Sequence, residues 1–213
     1  MRLVKTEDNS ITFFNESVQD HYHSKSGARE EAFEKHAKAL NIISNSIIFD
    51  MFFGIGYNSA AALDLVDNLT IYCFENDKEI LKKILEIDAD FKSWPLIQEF
   101  IKQFLENNKT TYEKEGNRLI MLFGDARETI KQVEAKADFV FFDPFSPAKV
   151  PELWTSSFFK DIKEKMNDNG KLSTYSYARF VRDNLKEAGF KVIDGPVLGR
   201  RSPSTIAINA QEN

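Results

Sequence analysis

Ile47-Ile48-Phe49-Asp50-Met51-Phe52-Phe53-Gly54-Ile55-Gly56-Tyr57-Asn58-Ser59-Ala60-Ala61-Ala62-Leu63 reads as a buried strand, a glycine turn and the start of a small-residue helix. Ile47–Met51 is apolar except for Asp50, the pattern of a strand covered on both faces. Glycine accepts positive φ and lets the backbone come close to a ligand. The free N–H groups at a helix start favour an anionic group. Gly54 and Gly56 also suit plain turn-making and packing, and Asp50 a turn cap, so this element alone leaves the ligand open.

Outward from this unit, strands and helices alternate. Leu69–Phe74, Leu119–Phe123, Phe139–Phe142 and Leu172–Ser176 are β-favouring apolar runs. Lys78–Ile87, Trp94–Glu106, Glu128–Val133, Ser156–Met166 and Phe180–Ala188 carry helical spacing between them. Phe190–Ile193 and Ser204–Ile208 are the last strands. This order predicts an α/β fold with a seven-stranded, mostly parallel sheet and helices on both faces. The last connection is too short for a helical crossover, so the final strand is expected to run antiparallel. Asp168-Asn169-Gly170 reads as the C-cap of the helix before it, and Trp94–Lys114 as an extra helix inserted in the sheet order. Residues 2–14 read as a hairpin turning at Asp8-Asn9-Ser10. Residues 1–40, that hairpin and a helix, are expected to pack on a core formed by residues 41–213, as one domain.

The core strands end in acids. Glu75 closes the second, and at that place a carboxylate can accept both hydroxyls of a ribose. Gly124-Asp125-Ala126 follows the third, where an acid can accept the exocyclic amine of an adenine. Asp143 closes the fourth and enters a loop stiffened by Pro144, Pro147 and Pro151. Glu75 alone suits a solvated strand end, and Asp125 alone a helix cap. Three of them beside a glycine turn point to a nucleoside cofactor. Ser59 stands where a dinucleotide fingerprint prefers Gly or Ala, which does not decide against NAD, but Asp125 together with the Asp143 loop suits S-adenosylmethionine better.

Composition narrows the class. The chain has 213 residues, 42% hydrophobic and 29% charged, a soluble globular balance. A single cysteine, Cys73, excludes an internal disulfide and a cysteine-clustered zinc site. His21 and His23 have no further ligand set beside them, so no metal is expected, and no Gly-Lys-Ser/Thr phosphate loop occurs. There is no membrane-length apolar run and no N-terminal signal core, so a cytoplasmic location and no membrane partner are expected. The net charge of −5 counts against a simple nucleic-acid binder, although basic residues outnumber acidic ones from Lys171 onward.

The motif order resembles the class I S-adenosylmethionine-dependent methyltransferases, a Rossmann-like fold: Phe49-Asp50, Gly54-Ile55-Gly56-Tyr57-Asn58, Glu75 and Gly124-Asp125-Ala126-Arg127. Ser10–Phe14, His21–Ser24 with Gly27-Ala28 and Glu30-Glu31, Asp143–Pro147, Pro151–Trp154, Thr174–Ser176, Val181-Arg182, Leu185 and Ala188–Phe190 narrow the resemblance to the methyltransferase domain of MnmC-type tRNA-modifying enzymes. That resemblance implies N-methylation of the aminomethyl group on a wobble 2-thiouridine in tRNA. It implies cofactor contacts from Phe53, Gly54, Gly56, Asn58, Glu75, Asp125 and Ala126, and Asp143 as the catalytic group at the amine. In many members of that family an FAD-dependent oxidoreductase domain makes the amine; with a chain ending at Asn213, a separate oxidoreductase acting upstream is the expected partner beside tRNA. Phe145 and Trp154 are expected to cover a flipped-out base, and Lys149, Arg179, Arg200 and Arg201 to meet phosphates. Asp143 is expected to orient the ammonium more than to act as a strong base. The rival readings are a polyamine aminopropyltransferase, which shares the sheet and an Asp-Pro loop, and an inactive cofactor-binding partner of an oxidoreductase.

Overall fold

A computed structural model describes residues 1–24, 26–199 and 202–210. The N-terminal segment forms a small antiparallel sheet of β1 (Arg2–Lys5), β2 (Ile11–Asn15) and β3 (Asp20–His21). The β1–β2 turn sits where the sequence puts it: Asn9 has φ 66, and Asp8 Oδ1 accepts from the Ser10 N–H at 3.0 Å. A short helix follows, α1 (Ala28–Glu31), and widens over Ala32–Ala37 into a π-helical run, seen in the Lys38 N–H to Phe33 O bond of 2.8 Å. Such a widening turns side chains off the regular helical stripe.

The core is a sheet built on β4 (Ile47–Met51), β5 (Thr70–Glu75), β7 (Asn117–Phe123), β8 (Ala137–Phe142), β9 (Met166–Thr174), β10 (Lys191–Val197) and β11 (Pro203–Ile208), with β6 (Thr111–Lys114) added at one edge. The order is β10-β11-β9-β8-β4-β5-β7-β6. β4 pairs parallel with both β5 and β8, and β11 runs antiparallel to its neighbours, as expected. The helices between the strands are α2 (Tyr57–Leu65), α3 (Lys78–Glu86), α4 (Trp94–Asn107), α5 (Ala126–Thr129), α6 (Ser156–Glu164) and α7 (Arg179–Glu187). Ile48 and Phe141 belong to the apolar layer on one face of the sheet, and Phe49, Val140 and Phe142 to the layer on the other. Alternate residues of one strand thus enter opposite layers, as the pleat requires. Chain direction in the parallel strands brings the ends of β4, β5, β7 and β8 to one edge.

Two expectations need correction. The insertion after β5 is not only a helix: α4 is followed by the edge strand β6, joined to β7 by a two-residue turn at Glu115 (φ 53) and Gly116 (φ 79). Positive φ at both positions matches the strand twist of a tight hairpin. Asp168-Asn169-Gly170 is not a helix cap either. α6 stops at Glu164, and the three residues form an irregular stretch inside β9, where the Asn209 N–H donates to Gly170 O at 2.9 Å.

Candidate active site

Two cavities meet at the strand-end edge. The first, about 450 Å3, is walled by Phe52, Phe53, Gly54, Phe74, Glu75, Asp77, Gly124, Asp125 and Ala126, with Tyr22 and His23 from the N-terminal segment. The second, about 400 Å3, is walled by Asp20, Ser24, Glu31, Lys35, Ser146 and Tyr175. Asp143, Pro144, Phe145, Tyr22 and His23 belong to both walls.

The first cavity is built by the turn after β4. Phe52 and Gly54 both have positive φ, 70 and 56, and the bulky Phe52 carries a strain of about 1–2 kcal/mol there. Its ring is held edge-on by Phe142 (5.4 Å between centroids). Gly54 leaves its N–H to Glu75 Oε2 at 2.8 Å, while Glu75 Oε1 accepts from the Asn76 and Asp77 N–H groups. Burial pushes the Glu75 carboxyl up, against the three N–H groups that hold it charged. Asp125 caps α5, and the hydrogen bond from Arg127 holds its carboxyl below the usual range. Apolar Phe74, Ala126, Val150 and Leu153 complete the wall. A carboxylate in the cavity wall, a second acid beside an apolar slot and a glycine backbone suit a nucleoside cofactor with an amino-acid tail.

Asp143 ends the line of β8. Its Oδ2 accepts from Asn58 Nδ2 at 3.0 Å and lies 3.7 Å from His36 Nε2. The His36 Nδ1 meets Ser173 Oγ at 2.9 Å, which fixes the ring. Burial lowers His36 to about 4, so at neutral pH it is uncharged. His23 is also lowered, by burial first. Burial raises the Asp143 carboxyl to about 6, helped by the nearby Glu31 and opposed by His23, Asn58 and Lys35. Behind it, Asp50 accepts from Ser59 Oγ at 2.6 Å, which ties β4 to α2, and burial raises it to about 8. Asp50 is therefore a neutral structural acid.

The structure sorts the sequence candidates. Phe53, Gly54, Glu75, Asp125 and Ala126 line the first cavity together. Gly56 does not; it turns the chain into α2, and a Cβ there would meet Phe53 Cζ at 2.6 Å. Asn58 is buried against Asp143 and not in the cavity wall, so its contact is with that carboxyl. Phe145 lines both cavities. Trp154 covers no open site: it is fully buried, donates from Nε1 to Phe145 O at 3.1 Å and packs on Phe142. Lys149 is exposed on the loop outside both walls, and Arg179 is exposed with a 3.6 Å pairing to Asp183. Arg200 and Arg201 lie outside the described residues. Sequence reasoning missed Tyr22, Lys35 and His36 as site residues. No described group of His, Cys, Asp and Glu forms a metal cluster, and no described helix is long and apolar enough to cross a membrane.

Residues 86–210 match the model of an S-adenosyl-L-methionine-dependent methyltransferase family, Methyltransf_30. The chain belongs to that family. It is a methyltransferase, and its cofactor is S-adenosyl-L-methionine. The crystal structure of MnmC2 from Aquifex aeolicus is similar at 33% identity and a TM-score of 0.76, covering 97% of this chain and 69% of that one. An uncharacterized protein of Methanocaldococcus jannaschii is 36% identical, over 96% of this chain and 58% of its own length. The tRNA 5-methylaminomethyl-2-thiouridine biosynthesis bifunctional protein MnmC of Leptospira interrogans is 26% identical, over 92% of this chain and 33% of its own length. The chain thus spans only part of these two curated relatives.

Proposed function

We propose that this methyltransferase N-methylates the primary amine of an aminomethyl group on a wobble 2-thiouridine of tRNA. An FAD-dependent oxidoreductase acting upstream would supply that amine. The observation that carries the reading is that Asp143, Pro144 and Phe145 wall both cavities at once. Donor and acceptor therefore meet across one carboxylate.

In this reading Glu75, Gly54, Asp125 and the Phe52–Phe53 turn hold the cofactor in the first cavity. When bound, S-adenosylmethionine would supply a methyl group carried on a sulfonium, open to in-line attack by a neutral amine with the neutral thioether as the leaving group. The second cavity receives the uridine, with Phe145 and Tyr22 against it; their rings meet edge-on at 4.9 Å. Asn58 holds Asp143 Oδ2, which leaves Oδ1 without a hydrogen-bond donor among the described residues. An alkylamine arrives protonated, with a pKa of roughly 10. Asp143 orients that ammonium. Raised to about 6, it is also a better proton acceptor than an ordinary aspartate. Loss of the proton to the carboxylate, or through it to water, frees the nitrogen lone pair. Tyr22, Pro144 and Phe145 would shield the reacting nitrogen from bulk water.

The test is transfer of labelled methyl from S-adenosylmethionine to tRNA bearing the aminomethyl group, read by nucleoside mass spectrometry. A new methylaminomethyl nucleoside supports the reading. No transfer to that tRNA, with transfer to another acceptor, overturns it.

A further inference from the structure

We propose that Glu31, held by Lys35, is a second anionic anchor of the acceptor cavity and makes that cavity select a cationic amine over an uncharged acceptor. The inference rests on the reading of the second cavity as the place of the amine.

Glu31 closes α1, and Lys35 sits on the π-helical run one turn later. Both side chains are almost wholly buried, at 7% and 4% exposure, and both line the second cavity. Glu31 Oε1 accepts from Lys35 Nζ at 2.6 Å, and Oε2 accepts from the Ser24 N–H at 3.0 Å. A carboxylate offers about four acceptor sites, so with two used among the described residues two are left for a ligand. A buried ion pair is a poor source of stability, because desolvation cancels most of the attraction. Apolar residues would close α1 on the core at least as well. This pair instead fronts a polar cavity beside the reactive carboxylate.

Among the described residues the charge of that wall is one-sided. Among the described residues lining it, Asp20, Glu31 and Asp143 are acidic and only Lys35 is a Lys or Arg, already bound to Glu31. A cation is the ligand that such a wall receives; a carboxylate or phosphate is repelled. The charged and titratable groups around Asp143 come from every packed element: Glu31, Lys35 and His36 from the first helix, His23 from the segment after β3, and Asp50 from β4. Glu31 and Asp143 are pushed apart: Lys35 and the Ser24 N–H overcome burial and keep Glu31 below the ordinary carboxylate range, whereas burial raises Asp143. Environments that push two carboxylates apart assign them different work. Glu31 stays charged throughout and holds the cation. Asp143 takes the proton: one N–H bond of the ammonium breaks, one O–H bond forms, and a neutral amine remains beside a neutral acid.

The experiment measures binding of two nucleosides by calorimetry at pH 7, 5-aminomethyluridine and its uncharged analogue 5-hydroxymethyluridine. The wild type is expected to prefer the amine by at least about tenfold, the scale of one charge-assisted hydrogen bond. Glu31→Gln should lose most of that preference while binding the hydroxymethyl nucleoside as before. Glu31→Gln combined with Lys35→Met leaves no unpaired buried charge, and it should lose the preference too if the single variant is unstable. A wild type with no preference for the amine overturns the proposal. So does Glu31→Gln retaining the preference, or losing both nucleosides equally, which is the mark of packing alone. Methyl transfer to tRNA is scored separately. An amine preference that depends on Glu31 without tRNA methylation would leave this anchor standing and remove the proposed substrate.

Discussion

Replacing Asp143 by Asn should move activity and stability in opposite directions. The carboxylate lies only 8% exposed, beside Glu31, and its pKa is raised from 3.8 to about 6. The folded state therefore binds this proton more tightly than the unfolded chain does. The sign follows: wild type carries a penalty above about pH 6, and the penalty fades as pH falls toward the unfolded value of about 3.9. Two pKa units correspond to about 3 kcal/mol, so Asp143→Asn should be up to about 3 kcal/mol more stable than wild type at pH 7.5. Asn keeps an oxygen for the Asn58 bond and introduces no bulk. By pH 4 the gap should shrink below about 1 kcal/mol. Urea unfolding at both pH values, followed by circular dichroism, measures it. In the same protein, methyl transfer should fall by about 10²–10⁴, the range for removing a positioned acid or base. Wild-type transfer should itself drop about tenfold from pH 7 to pH 5, as Asp143 becomes protonated. A gap that is absent or independent of pH would refute the burial argument, and near-normal turnover in Asp143→Asn would remove the residue from the chemistry.

Glu75→Gln should weaken cofactor binding about ten- to a hundredfold in equilibrium dialysis, because a charged acceptor of hydrogen bonds is lost, with tRNA affinity unchanged. Gly54→Ala forces a side chain into φ 56 and brings its Cβ to 3.2 Å from Tyr22 Cδ1; denaturation should show a loss of about 1–2 kcal/mol, and cofactor affinity should fall with it. Trp154→Phe deletes only the Nε1 bond to Phe145 O and some packing, so it should cost about 1–2 kcal/mol in stability and change kcat less than about threefold.

The strand-end acids were legible because apolar runs end at them: Glu75, Asp125 and Asp143 each close or follow an apolar strand run, and all three reach one cavity. The parallel core was legible from the same runs. β6 was not, because Thr111–Lys114 is a polar edge strand and Glu115-Gly116 is an uncommon pair for its turn. Asp168-Asn169-Gly170 carries cap chemistry, yet β9 absorbs it through bonds to Asn209, a partner distant in sequence. Glu31, Lys35 and His36 follow a spacing that reads as a solvated helix face. The π-helical turn and packing against β9 place them inward, and no local pattern encodes that. Asn58 and Trp154 were noticed in the sequence, but their partners, Asp143 and Phe145 O, could only be found in three dimensions.

Tyr22, His23, Glu31, Lys35 and His36 all come from one short run ahead of β4, while the cofactor-side acids come from the strand ends of the sheet. Glu31 and Lys35 wall the second cavity alone, whereas Tyr22 and His23 wall both. On the proposed reading, substitutions at residues 31 and 35 would retarget the acceptor while the donor-side acids stayed untouched, and substitutions at residues 22 and 23 would disturb donor and acceptor together.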